Sequence, residues 1–296
     1  MKVITWNVNN RVGAVSQQVQ ELGQREPDLV ALQDVNYNAV ARYIEGFRRI
    51  GLSHVLHTLE RQSQAIPTGV LLASRFPLAL LPDRPESILW SQGSYTPERE
   101  KLRQHWTRRT LFALLHYSWG EIELANVYIT PANHYEPDAN AGRKLYPYLK
   151  LDLLAGLYQT LATPARRPRL LCGDFNSPQY EREKGEIITW GYIKRHGDYI
   201  LKYPRQHELE LGILRGLSAY DLQDVYRRLH GYAKQTQEEG WSWRYRNHIK
   251  YRFDHLFASH LLCPAQACYL HAFLESRLSD HAPLEVLFEL KRRQDI

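Results

Sequence analysis

Eight short apolar runs, at residues 2–8, 28–34, 68–74, 110–117, 121–129, 168–174, 252–259 and 283–290, constrain this chain more than any other feature. Each has the length and the apolar content of a strand. Helical stripes fall between some of them: Val12, Val15, Val19 and Leu22; Leu145, Leu149, Leu153, Leu157 and Leu161; and Leu222, Val225 and Leu229. Helices near the start, followed by strands joined through short turns, predict a mixed sheet system packed by helices rather than a regular βαβ repeat. No linker divides the 296 residues, and one core can serve that length, so a single domain over 1–296 is expected. Two stretches, near 82–107 and 178–216, break the pattern with aromatic and charged residues. Both read as irregular loop insertions suited to contact with a substrate.

Composition removes several classes. No apolar stretch approaches the ~20 residues of a membrane-spanning helix, and residues 1–7 read as a strand without the apolar segment of a secretory signal. Cys172, Cys263 and Cys268 are odd in number and form no C-x-x-C pair, which argues against a disulfide framework or a cysteine zinc site. They read as buried thiols of a reducing cytoplasm, the expected location. A net charge of +6 and a pI of about 9.1 fit a polyanionic partner such as nucleic acid. The basic clusters at 99–103, 108–109, 166–169 and 291–293 each read singly as a solvated face.

Chemistry enters where the apolar runs stop. The first ends in Trp6-Asn7-Val8-Asn9, the second in Gln33-Asp34, and "LLCGDFNSP" (170–178) breaks at Asp174-Phe175-Asn176. Asp254 sits within Arg252-Phe253-Asp254-His255, and Asp280-His281 stands directly before the last run. If these strands share a sheet with like ends together, Asn7, Asp34, Asp174, Asn176, Asp254, Asp280 and His281 converge on one edge. Such a set is mostly hard oxygen with one imidazole, which suits Mg²⁺ or Mn²⁺ better than zinc. The chemistry indicated is metal-assisted phosphoryl transfer. Taken singly, an Asp or Asn at a strand end is as readily a turn or cap residue, Gly173 a tight turn, and His255, His260 and His271 packing or surface residues. The joint order is what favours a site.

In that order the residues resemble the endonuclease/exonuclease/phosphatase superfamily, which includes deoxyribonuclease I and the exonuclease III type of abasic-site endonuclease. The matching segments are "VITWNVN" (3–9), "PDLVALQDV" (27–35), "GVLLASRFPL" (69–78), "ELANVYI" (123–129), "LLCGDFNSP" (170–178), "LQDVYRRLH" (222–230), "YRFDHLFAS" (251–259) and "LSDHAPLEV" (278–286). The resemblance implies an α/β (α+β) fold, a four-layer α/β sandwich of two packed mixed β-sheets flanked by helices. By position, it implies that Asn7, Asp34 and Asp280 hold Mg²⁺ or Mn²⁺, with Asn9 beside the substrate. Asp174 would orient or deprotonate the attacking water, and Asn176 would hold the scissile phosphate. His281, steadied by Asp254, would bond a non-bridging oxygen or assist proton transfer. Position 34 is usually glutamate in this superfamily, so Asp34 places its carboxylate one methylene short.

The activity implied is that of a divalent-metal-dependent phosphodiesterase hydrolysing nucleic acid, DNA first, as an endonuclease or exonuclease. Tyr128 supports DNA, because the abasic-site endonucleases carry tyrosine there, although "ITPANH" after it and "RFDH" later depart from their usual continuation. Trp241, Trp243, Tyr245 and Tyr251 alternate with Arg244, Arg246, Lys250 and Arg252. The rings suit stacking on bases and the cations, Arg244 and Arg246 first, suit phosphates. The same alternation also describes an amphipathic strand with one buried face. A phosphatase or phosphodiesterase for a small or lipid-linked phosphate stands second, and a phosphate-binding module weakened by Asp34 third.

Overall fold

The computed structural model describes residues 1–60, 66–81, 97–118, 120–131, 135–138, 142–145, 149–233, 238–245 and 249–289. Two six-stranded mixed sheets dominate it. The first runs, in spatial order, Cys263–Tyr269, Leu284–Glu289, Lys2–Asn7, Leu29–Asn36, Thr68–Ser74 and His54–His57. The second runs Gln223–Asp224, Asp254–Ala258, Arg169–Asp174, Gly120–Tyr128, Thr110–Tyr117 and Leu78–Leu80. Each has a parallel pair near its centre, Lys2–Asn7 beside Leu29–Asn36 and Gly120–Tyr128 beside Arg169–Asp174, with antiparallel neighbours outside.

Alternation along the strands explains why the runs are apolar throughout. Val3, Leu29, Ala31, Val70 and Leu72 of the first sheet meet Leu111, Ala113, Leu124, Leu170, Cys172 and Leu256 of the second in one core. The intervening residues Ile4, Trp6, Val30, Leu32 and Leu71 face outward, and Val15, Val19, Leu22, Tyr43 and Phe47 cover them from the helices Val15–Gln24 and Val40–Arg49. On the far side, Phe112, Val127, Leu171 and Phe257 pack under Leu149, Leu153, Leu157 and Leu161 of the helix Leu149–Leu161. With both faces of each sheet buried, a strand needs apolar residues at every position. The result is the four-layer sandwich expected.

Several expectations change. Residues 97–109 form a helix, Pro97–Arg109, so the 82–107 stretch is not irregular where it is described. Its first part, 82–96, lies outside the described residues. The 178–216 stretch holds two hairpins, Tyr180–Glu181 with Ile187–Ile188 and Tyr192–Arg195 with Asp198–Leu201, and then the helix Pro204–Leu214. Leu145 belongs to a strand pairing with Tyr135–Asp138, not to the helix that starts at Leu149. Gly173 is not at a turn. It lies within a strand at φ +147°, where a Cβ would fall 1.9 Å from the Val127 carbonyl oxygen, so only glycine permits the approach of that neighbour. Among the described residues, no helix is long and apolar enough to cross a membrane.

Candidate active site

Both parallel pairs end on the same side of the molecule, which is what brings the polar residues together. Asn7 pairs in register with Gln33 in one sheet, and Asp174 with Tyr128 and Asp254 in the other. A bulge between Leu32 and Val35 puts Asp34 at φ +53°, and this extra residue redirects its side chain out of the ladder. Beneath the ends, Gln33 Nε2 donates to Asn126 Oδ1 at 2.8 Å, and Asn126 Nδ2 donates to the carbonyls of Leu32 (3.1 Å) and Leu71 (2.9 Å). This wholly buried amide pair clamps one sheet to the other directly under the site.

The cavity above holds about 470 Å³ and is lined by Asn7, Asn9, Asp34, Tyr128, Asp174, Asn176, Asp280 and His281. Asn7 Nδ2 donates to Asp174 Oδ2 at 2.8 Å and so ties the two sheets at their ends. Its Oδ1 accepts the backbone N–H of Asn9 at 2.8 Å. Asp174 Oδ1 takes the backbone N–H of Asn176 at 2.8 Å, an Asx turn that fixes the carboxylate. The Asn176 amide nitrogen is committed to the Ile129 carbonyl (2.9 Å) and to Asp174 Oδ2 (3.1 Å). Lys150 Nζ (2.8 Å) and Trp190 Nε1 (2.9 Å) both donate to the Asn176 carbonyl, so the loop is held from behind as well.

His281 is the other pole. Its Nδ1 lies 2.7 Å from Asp254 Oδ2, and its Nε2 stands 4.0 Å from both Asp174 Oδ2 and Asp280 Oδ1. Asp254, fully buried, therefore orients the ring and leaves Nε2 facing the cavity. Burial alone would lower the imidazole, but the charges of Asp254, Asp174 and Asp280 outweigh it and raise it to about 10. Burial, followed by the nearby charge of Asp254, pushes Asp174 up to about 7. Asp34 is also pushed up by desolvation, against a hydrogen bond from Thr68 and the charge of Arg109.

The donor set fits a hard cation. Asp174, Asp254 and His281 place one potential ligand atom each within 4.8 Å of one another. Asp280 Oδ2 accepts Trp243 Nε1 at 3.1 Å, while among the described residues Asp280 Oδ1 has no hydrogen-bond partner and only the His281 imidazole near it, at 4.0 Å. A buried carboxylate oxygen is stable only when something positive or hydrogen-bonding meets it. With Asp34 and Asn7 on the same wall, oxygen ligands of the kind Mg²⁺ or Mn²⁺ takes are available there.

Not every expected residue arrives. Arg244 does not line this cavity, and its guanidinium lies 5.7 Å from the Trp241 ring centroid. Arg246 lies outside the described residues. Arg252 grips no ligand, because Glu181 and Asp224 take its guanidinium, each at 2.7 Å. Conversely, Arg109 is not a solvated face. It is buried, 4.7 Å from the Tyr128 ring centroid, and brings positive charge beside Asp34. Burial raises the Tyr128 phenol, so that it keeps its proton. Trp190 and Phe253 complete an aromatic wall with Trp243, Tyr245 and Tyr251. Gln33 and Asn126, as amides inside apolar runs, carry a sequence signal; Trp190 carries none.

Two packed mixed sheets thus carry a carboxylate–imidazole pair and a set of oxygen ligands at their joint end. The chain belongs to the Endonuclease/Exonuclease/phosphatase family, whose model matches residues 4–281. Among solved structures it is similar to an AP endonuclease from Archaeoglobus fulgidus, at 18% identity and TM-score 0.63, covering 98% of this chain and 100% of that one. It is similar to the 3′ phosphatase NExo from Neisseria bound to product DNA hairpin, at 19% identity and TM-score 0.63, covering 98% and 99%. Humanized TDP2 from D. rerio matches at 16% identity and TM-score 0.58, covering 98% of each chain. No curated protein matches the sequence.

Proposed function

We propose that this protein, acting as one domain, is a divalent-metal-dependent hydrolase of phosphodiesters in nucleic acid, with DNA as its substrate. The observation that carries the reading is the Asp174–His281 pair, 4.0 Å apart at the mouth of a cavity whose wall also holds Asn7, Asp34 and Asp280. A phosphodiester resists attack because it is anionic, so catalysis needs a fixed base and dispersed positive charge together. Asp174, with both oxygens held by Asn7 and Asn176, is aimed to orient a water and accept its proton. His281, kept protonated by its carboxylate neighbours, donates from Nε2 to a non-bridging oxygen. Tyr128 offers a neutral hydroxyl to the same phosphate, with Arg109 behind it. Asn9 and Asn176 border the phosphate position.

Asn7, Asp34 and Asp280 would hold Mg²⁺ or Mn²⁺, which supplies Lewis-acid stabilisation of the developing charge. Asp34, displaced by its bulge, reaches the cavity despite its short side chain. Support for DNA comes from the net charge of +6 and from the product hairpin bound by the Neisseria relative. Only Cys172 is buried, while Cys263 is half-buried and Cys268 exposed, not all buried as expected; as three free thiols they fit a reducing cytoplasm as the place of action. A second reading, a phosphodiesterase for a small substrate, draws on the aromatic wall, which suits one flat or apolar substituent.

The test is a substrate panel in Mg²⁺ and in Mn²⁺: duplex, single-stranded and abasic DNA, RNA, and phosphorylated small molecules. Metal-dependent cleavage of DNA that Asp174→Asn abolishes is the expected result. Turnover of small phosphoesters alone would favour the second reading, and no metal-dependent difference between wild type and variant would end both.

A further inference from the structure

Tyr251 lines two cavities, the one described above and a neighbour of about 520 Å³ on its other side. That size lies within the ~300–1,000 Å³ of small-ligand clefts. Pro178, two residues beyond Asn176, lines the second cleft, and Tyr251 stands between it and the candidate active site. Its walls carry the rings of Tyr180, Tyr199 and Tyr251, over a floor that includes the buried Trp241.

The floor is fixed. Glu181 receives Arg227 at 2.6 Å and Arg252 at 2.7 Å, so the hairpin that presents Tyr180 is anchored by two buried ion pairs. Those pairs also consume the only acid lining the cleft among the described residues. What remains to face a ligand is positive. Lys194 Nζ lies 5.8 Å from the Tyr199 ring centroid and Lys250 Nζ lies 5.0 Å from that of Trp241, and both lysines are exposed. Tyr180 is 45% exposed, with its ring open to a stacking partner.

Aromatic faces interleaved with ammonium groups in a concave track are what an unpaired nucleic-acid strand requires. Within a duplex, a base already has its faces covered by its neighbours, and only an unstacked base can use such a wall. We infer that this cleft holds the single strand flanking the scissile phosphate, its bases on Tyr180 and Tyr199 and its phosphates on Lys194 and Lys250. The inference rests on the nucleic-acid reading of the adjoining site. It assigns that site a preference for frayed or tailed ends over a closed duplex.

The experiment compares wild type with Lys194→Ala/Lys250→Ala and with Tyr180→Ala/Tyr199→Ala. The substrates are blunt duplex DNA, duplex DNA with a single-stranded tail on either strand, and bis(p-nitrophenyl) phosphate, which has no flanking strand to lay in the second cleft. Wild type should prefer tailed over blunt duplex. The tyrosine double variant should raise KM for the tailed substrate at least ~30-fold, as loss of two stacked bases at ~1–3 kcal/mol each would; the lysine double variant should raise it as well, and both should leave the small diester unchanged. Loss of the lysines should flatten the slope of log affinity against log salt by ~0.7 for each phosphate contact. Tyr180→Phe/Tyr199→Phe, which keeps the rings, should behave as wild type. Unchanged KM and salt slope, or an equal loss on all three substrates, would overturn the cleft. Fluorescence anisotropy with a tailed oligonucleotide decides it independently of turnover: wild-type binding that the variants weaken upholds the cleft even if no DNA is cleaved. In that event the nuclease reading fails alone.

Discussion

Asp174 and His281 shape each other's protonation across 4.0 Å. Because the Asp174 carboxyl is raised to about 7, its basic form is the minority species at acid pH and dominates only above that value. His281, at about 10, remains an imidazolium across the same window. The rate of the proposed reaction should therefore rise with pH through about 7, as read from kcat/KM between pH 5 and 9. Asp174→Asn should remove that limb and lower kcat by ~10²–10⁴-fold, the usual worth of a positioned base. His281→Ala should cost ~10²–10³-fold, as loss of one preorganised donor does, with the circular dichroism spectrum unchanged. Asp174 and His281 were legible in the sequence because their motifs are short and local. Arg109 was not, since nothing in "RRT" says which of two arginines turns inward to cover Tyr128.

At the scale of elements, two buried ionic clusters fasten the 178–216 insertion to the sandwich. Glu181 joins Arg227 and Arg252, and Arg252 also reaches Asp224, at the start of the helix Val225–His230. Burial would raise Glu181, yet Arg252 and then Arg227 hold it down at about 2 against an ordinary 4.5, and Asp224 is likewise lowered. A depressed carboxylate contributes stability that is complete above its unfolded value and is lost as pH falls towards its folded one. Urea unfolding should therefore show stability falling between pH 4.5 and 2, and Glu181→Gln should flatten that slope. The same substitution at neutral pH should cost ~3–5 kcal/mol, because Arg227 stays buried without its acid and Arg252 keeps only Asp224.

The second cluster is Lys150, paired with Glu210 at 3.2 Å and bonded to Ser177 Oγ at 2.7 Å. Lys150→Met alone should destabilise by a similar ~3–5 kcal/mol, and Lys150→Met/Glu210→Leu should recover most of it, as read by thermal melts. Neither cluster could be read from sequence. A lysine on a leucine-rich helix and an acid in a tyrosine-rich stretch meet only once both helices, Leu149–Leu161 and Pro204–Leu214, lie over the second sheet.

For the molecule as a whole, hydrogen bonds between protein groups hold the walls of the site together. Asn7 bonds Asp174 across the sheets at 2.8 Å, and Ser279 Oγ donates to the Asn7 carbonyl at 2.6 Å. A chelator should accordingly abolish turnover while shifting Tm by only a few degrees, and added Mg²⁺ should restore activity; a large fall in Tm would mean that the ion is structural. What the sequence determined by itself was the strands, because a sheet buried on both faces demands unbroken apolar runs, and the polar residues where those runs stop. The tertiary structure alone decided that these ends share one cavity, that a bulge delivers Asp34 to it, and that Arg252 serves the scaffold rather than a ligand. Strand periodicity is a local property of the chain, whereas the partner of a buried charge is set by which surfaces the fold presses together.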